Sequence, residues 1–154
     1  MTNITETVKP TLEKWLGADE DTLLEQLGLR AQAGWGQRAE VAEFDPTIVY
    51  NVVEMGPMDE LREIGRRLFR RWSRELHNLA CGSDEAYKVD RESILQAIGG
   101  DDVAVAAAIT AVLIVSFGVA PALAPLLAGL VLKYIIKPAG DTLCEYWREH
   151  LDVV

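Results

Sequence analysis

A chain of 154 residues, 49% of them hydrophobic, is long enough to build one core. Its 24 acidic residues against 15 basic ones leave a formal net charge of −9. A dominant basic surface is missing, which argues against nucleic acid as a partner.

Thr2 to Gly17 reads as a short helix with Leu12, Trp15 and Leu16 on one side. Asp21 to Leu27 reads as a second, carrying Leu23, Leu24 and Leu27, with Gly28 as its expected stop. Gly34, Trp35 and Gly36 then suggest an irregular turn. Asp45-Pro46 supplies a capping acceptor followed by proline at the first helical position, and Phe44 with Val49 fits a hydrophobic staple. A helix is therefore expected over Thr47 to Met55, with a strand as the alternative because the segment is rich in β-branched residues.

Asp59 to Cys81 carries the strongest periodicity. Leu61, Ile64, Leu68, Phe69, Trp72, Leu76 and Leu79 recur at three- and four-residue spacing, and Gly82 follows as a stop. The opposite side carries Arg66, Arg67, Arg70, Arg71 and Arg74, with Glu63 and Glu75 spaced to pair with Arg67 and Arg71. Those arginines form a candidate docking face for an acidic protein partner. Asp90 to Ile98 reads as a shorter helix ended by Gly99-Gly100. The last element, Gly140 to Leu151, is amphipathic: Leu143, Tyr146, Trp147, His150 and Leu151 share one side.

Between the last two lies the segment that decides most. From Val103 to Leu132 there is no charged side chain. As one helix that run would measure about 45 Å, longer than one bilayer span of about 30 Å and too short for two. Phe117-Gly118 looks like a helix end, and Pro121 and Pro125 interrupt regular structure, so a hairpin is expected. Its arms would be Val103 to Phe117 and Ala122 to Ile136, capped at the start by Asp101, with Lys133, Lys137 and Pro138 at the exit. Small residues at helical spacing, Ala104, Ala108 and Ala111 on the first arm and Ala124 and Ala128 on the second, suit close helix packing. The larger Ile109, Val112, Leu113, Phe117, Leu126 and Leu130 need cover from lipid, from another copy of the chain, or from the rest of the fold.

Chemistry leaves little trace. His77 and His150 are the only histidines, and Cys81 and Cys144 the only cysteines. Zinc ligation is not expected, since the six-residue spacing of Cys144 and His150 puts them about 120° from a shared helical face. Two cysteines do not make a disulfide framework; a reduced pair is the simpler expectation and a single bridge the alternative. No phosphate loop, calcium loop or catalytic triad is present, so no cofactor, metal or enzymatic activity is implied. The opening residues lack a basic leader with an apolar core, which predicts a cytoplasmic location, free or membrane-associated.

The expected fold is all-α: a helical bundle with a long arginine-faced helix and an Ala-rich apolar hairpin. Residues 1–100 form an acidic helical region, 101–137 the hairpin and 138–154 the C-terminal helix, together one unit. An apolar hairpin kept among amphipathic helices resembles, in pattern alone, helical pore-forming toxins and cell-death regulators, which implies a pore-forming or effector role. The leading expectation is a non-enzymatic protein that meets membrane or itself, as a homo-oligomer, through the hairpin. The alternative is a soluble adaptor with the hairpin as core and the arginine face as docking surface.

Overall fold

The computed structural model describes residues 4–32 and 57–151, and among these it is all-α, with no strand. The expected Asp45-Pro46 cap, the element over Thr47 to Met55 and the Gly34–Gly36 turn lie outside the described residues. Seven helices of at least seven residues are described: α1 (Ile4–Leu16), α2 (Glu20–Gln32), α3 (Met58–Cys81), α4 (Lys88–Ala97), α5 (Asp102–Phe117), α6 (Ala124–Val131) and α7 (Leu143–Glu149).

Local chemistry sets most of the boundaries. Asp19 caps α2, its Oδ1 accepting from the Thr22 N–H at 2.7 Å, and Asp101 caps α5 by accepting from Ala104 N–H at 2.8 Å. At the other end of α5, Gly118 takes φ 68°, a left-handed conformation that a side chain disfavours, and its N–H bonds back to the Ile114 carbonyl at 3.2 Å. Pro125 sits in the first turn of α6, where its missing N–H costs no helical bond. Pro138 does not end the second arm. A π-helical turn over Leu132–Ile136 precedes it and a further helical turn, Lys137–Ala139, carries the chain through it. Widening the ladder by one residue relieves the clash a proline ring makes with the carbonyl four residues back.

α2 differs from expectation at Gly28. The helix continues through it to Gln32. The reason is tertiary: α2 lies antiparallel to α3, and a Cβ on Gly28 would stand 1.9 Å from the Leu61 carbonyl oxygen. One turn away, a Cβ on Gly65 would stand 2.2 Å from the Leu24 carbonyl oxygen. Each helix thus lends the other a glycine where its backbone arrives, and Arg62 Nε meets Glu25 Oε1 at 2.8 Å beside the crossing. The buried stripe of α3 is correspondingly turned: Leu61, Phe69, Leu76 and Leu79 are buried as expected, together with Gly65, Ser73 and Ala80. Ile64, Leu68 and Trp72 lie half-buried at its margin.

α5 and α6 form the expected hairpin, and it is the core. α1 packs on both arms, α2 and α3 on α6, and α4 on α5. The tip from Val119 to Leu123 is buried, which requires partners for backbone groups that no helix satisfies. Arg30, itself 1% exposed, reaches it from the end of α2 and donates from Nη1 to the Ala122 carbonyl at 3.0 Å. Polar ties secure the hairpin at both ends: Lys137 Nζ to Asp102 Oδ2 at 2.9 Å and Lys133 Nζ donating to the Ala18 carbonyl toward the open end, and Ser116 Oγ donating to Asp90 near the tip. Among the described residues no helix is long and apolar enough to cross a membrane; α5, at 16 residues, spans about 24 Å.

The crossing makes a signed prediction. In an open helix, replacing Gly by Ala should stabilise by about 1 kcal/mol. Gly28→Ala and Gly65→Ala are each expected instead to destabilise by about 1–3 kcal/mol, because two backbones must separate. Urea denaturation of the two variants checks this, and a rise in midpoint for either would contradict the packing.

Candidate functional site

Three groups of residues bear on function: the larger side chains of the hairpin, the arginines of α3, and the seam where α7 meets α3. Ile109, Val112, Leu113, Leu126 and Leu130 are all buried, none more than 4% exposed. Phe117 is half-buried between Trp72 and Tyr87, with ring centroids 5.8 Å from each. Of the small residues, Ala108, Ala124 and Ala128 are buried and Ala104 and Ala111 half-buried. In this form the hairpin side chains meet other helices of the same chain, and the exposed apolar residue on α5 is Val115, 72% exposed.

The five arginines do not share one surface. Arg67, Arg71 and Arg74 lie along the exposed side of α3, whereas Arg66 and Arg70 are half-buried on its flank. Glu63 serves two of them, meeting Arg66 Nη1 at 3.3 Å and Arg67 Nε at 3.6 Å. The expected Glu63–Arg67 pair is therefore present. Arg71 lies over the Trp72 ring, 4.9 Å from its centroid, rather than pairing with Glu75. Exposed pairs of this kind contribute little to stability.

α7 lies along a different stripe of α3. Ser73, His77 and Cys81 recur every four residues, and each engages α7. Trp147 Nε1 donates to Ser73 Oγ at 2.9 Å, in a site where both residues are at most 1% exposed. The His77 ring meets the edge of Trp147 at 5.8 Å, and Cys81 is disulfide-bonded to Cys144, with Cα atoms 5.6 Å apart. The expectation of a reduced pair is thereby corrected. Two cysteines 63 residues apart give no sign in sequence that their helices meet; only the docking of Trp147 brings them together. The apolar side of α7 is as expected, with Trp147 buried and Leu143, Tyr146, His150 and Leu151 half-buried.

Cys81 and Cys144 are thus engaged with each other, and His150 stacks on Tyr146 with centroids 3.8 Å apart. Among the described residues no group of three or more His, Cys, Asp or Glu is placed to hold a metal ion. Sequence reasoning missed Arg30 and the Arg62–Glu25 pair, whose only signal is a charge on an otherwise apolar helix face. Tyr134 lies at the edge of the core, 5.7 Å from Phe69 between ring centroids. Its phenol is pushed above its ordinary value by burial, then by the Glu20 and Asp21 carboxylates, against the opposing charge of Arg66.

No protein-family model, curated protein or solved structure matches this chain.

Two outcomes follow from these contacts. Ser73→Ala leaves the Trp147 N–H buried without an acceptor and is expected to cost about 1–3 kcal/mol in denaturant unfolding, with Trp147→Phe in the same background adding less than it does alone. A raised phenol means that the folded chain holds its proton more tightly than the unfolded one. That contribution is intact below the ordinary value of 10.0 and is lost as pH rises beyond it. Tyr134→Phe should accordingly flatten the alkaline fall of stability while leaving the neutral-pH spectrum of the fold unchanged, as thermal melts across the alkaline range would read.

Proposed function

We propose that this chain is a non-enzymatic docking module, in which the apolar hairpin serves as core and the exposed arginine stripe of α3 binds an acidic protein surface. The observation that carries the reading is the burial of the hairpin: Ile109, Leu113, Leu126 and Leu130 are each at most 1% exposed. An uncharged run so covered needs neither lipid nor a second copy to be stable in water. Among the described residues acidic side chains outnumber basic ones on the surface, and Arg67, Arg71 and Arg74 form an exposed stripe long enough to meet acidic residues on one face of a partner helix.

The test uses a defined probe, a helical peptide bearing Glu at four-residue intervals. Binding measured by fluorescence anisotropy at low salt should weaken at least tenfold in the triple variant Arg67→Glu, Arg71→Glu, Arg74→Glu, with helical content unchanged. Binding indifferent to those charges sinks the docking reading.

A second reading keeps the hairpin for membrane or self-association, through its release from the bundle. It is favoured by one feature: both arms are free of charge within the core, and the polar ties found here sit at the tip and the open ends. A hairpin released there would present an uncharged surface. Salt-resistant flotation of the wild-type chain with anionic phospholipid vesicles would support it. Lys at Ile109 or Val112 is no clean test, since a charge in a buried site would unfold the bundle before it altered any surface.

A further inference from the structure

We propose that the Cys81–Cys144 pair is a redox latch on the C-terminal helix: the bridge holds α7 against α3, and reduction by a dithiol frees it. Four features of the fold converge on this assignment, and none belongs to the docking stripe.

The first is size. α7 has seven residues, too few to hold a helix in water by itself, so its structure depends on what it is docked against. The second is position. The bridge joins the first turn of α7 to the last turn of α3, next to Gly82 on one side and two residues after a 3-10 turn, Gly140–Thr142, on the other. Gly140 takes φ 57° there, a ready pivot between the hairpin and the final helix. The third is access. Cys144 is exposed, and Cys81 is half-buried at the margin of the core. The fourth is what the latch covers: the Ser73 hydroxyl, the His77 ring and the buried indole of Trp147, on the side of the bundle where α7 also touches the π-helical turn.

The chemistry balances with an external dithiol as reductant. Its thiolate attacks the sulfur of the exposed Cys144, the S–S bond breaks, and Cys81 leaves as a thiolate that takes a proton from water. The second thiol of the reductant then attacks the mixed disulfide and releases Cys144, so that two cysteine thiols form and the dithiol departs as its own disulfide. With the covalent tie gone, the Trp147–Ser73 hydrogen bond and side-chain packing are what hold α7 among the described residues, and its opening separates from that of the hairpin. Opening bares the Ser73–His77 stripe of α3 beside the second arm.

The experiment is amide hydrogen exchange read by mass spectrometry on the full chain, oxidised and after treatment with dithiothreitol. Exchange over residues 143–149 is expected to rise at least tenfold on reduction, to return on reoxidation, and to leave α5 and α6 protected. The double variant Cys81→Ser, Cys144→Ser should match the reduced chain with no reagent present. Unchanged exchange over 143–149 would overturn the proposal. So would an equal rise across α1 to α6, which would make the bridge a support of the whole fold rather than a latch on one helix.

Discussion

An uncharged hairpin in water must be covered on every side, and the placement of the other helices follows from that requirement. α1 lies over both arms, α2 and α3 over the second, α4 over the first. Covering the side chains is the simpler half of the task. The tip also buries a stretch of backbone that belongs to no helix, and its polar groups lose water as the chain closes. Arg30 answers this at Ala122. It brings a long, many-donor side chain into an apolar setting and rests its guanidinium 5.0 Å from the Trp15 ring, so that part of the cost of burying charge is offset by the aromatic face.

Cover of that quality depends on how closely its parts approach. α2 and α3 meet at the distance two glycines allow, and their side chains can then present a nearly continuous apolar surface to α6. Gly28 and Gly65 are offset so that each faces the other helix one turn from its counterpart, a pattern that fixes register as well as distance. The carbonyls of Leu61 and Leu24 stand where side chains would otherwise be, an arrangement suited to Cα–H···O contacts. The Arg62–Glu25 pair lies beside this crossing and adds a charge match to a register already set by shape.

Much of this was legible from residue order because it is local. The periodicity of α3, the Asp101 cap, the Gly118 stop and the two-sided character of α7 are each written within a few neighbouring residues. What was not legible is what a helix face touches. Gly28 has the signature of a helix end and is a contact. Pro138 has the signature of a break and is absorbed by a π-helical turn. The arginines of α3 read as one face, yet the turning of the buried stripe divides them into an exposed row and a half-buried flank. Nothing in the spacing of the two cysteines announced that α7 would dock on the stripe of α3 that carries Cys81. In each case periodicity records that a face exists, and tertiary packing decides its occupant.

The bridge between α3 and α7 also has a topological meaning. Cys81 and Cys144 close a covalent ring that contains α4 and the whole of the hairpin, with α1, α2 and most of α3 outside it. A single peptide bond cut anywhere within that ring opens a loop and releases nothing: both pieces remain one molecule joined through sulfur. A nick between α4 and α5, at the exposed Gly99-Gly100 turn, would relieve the hairpin of its connection to the preceding helix while keeping it tethered to α3. The chain is so built that its most apolar segment has two covalent attachments to the helix that helps to cover it.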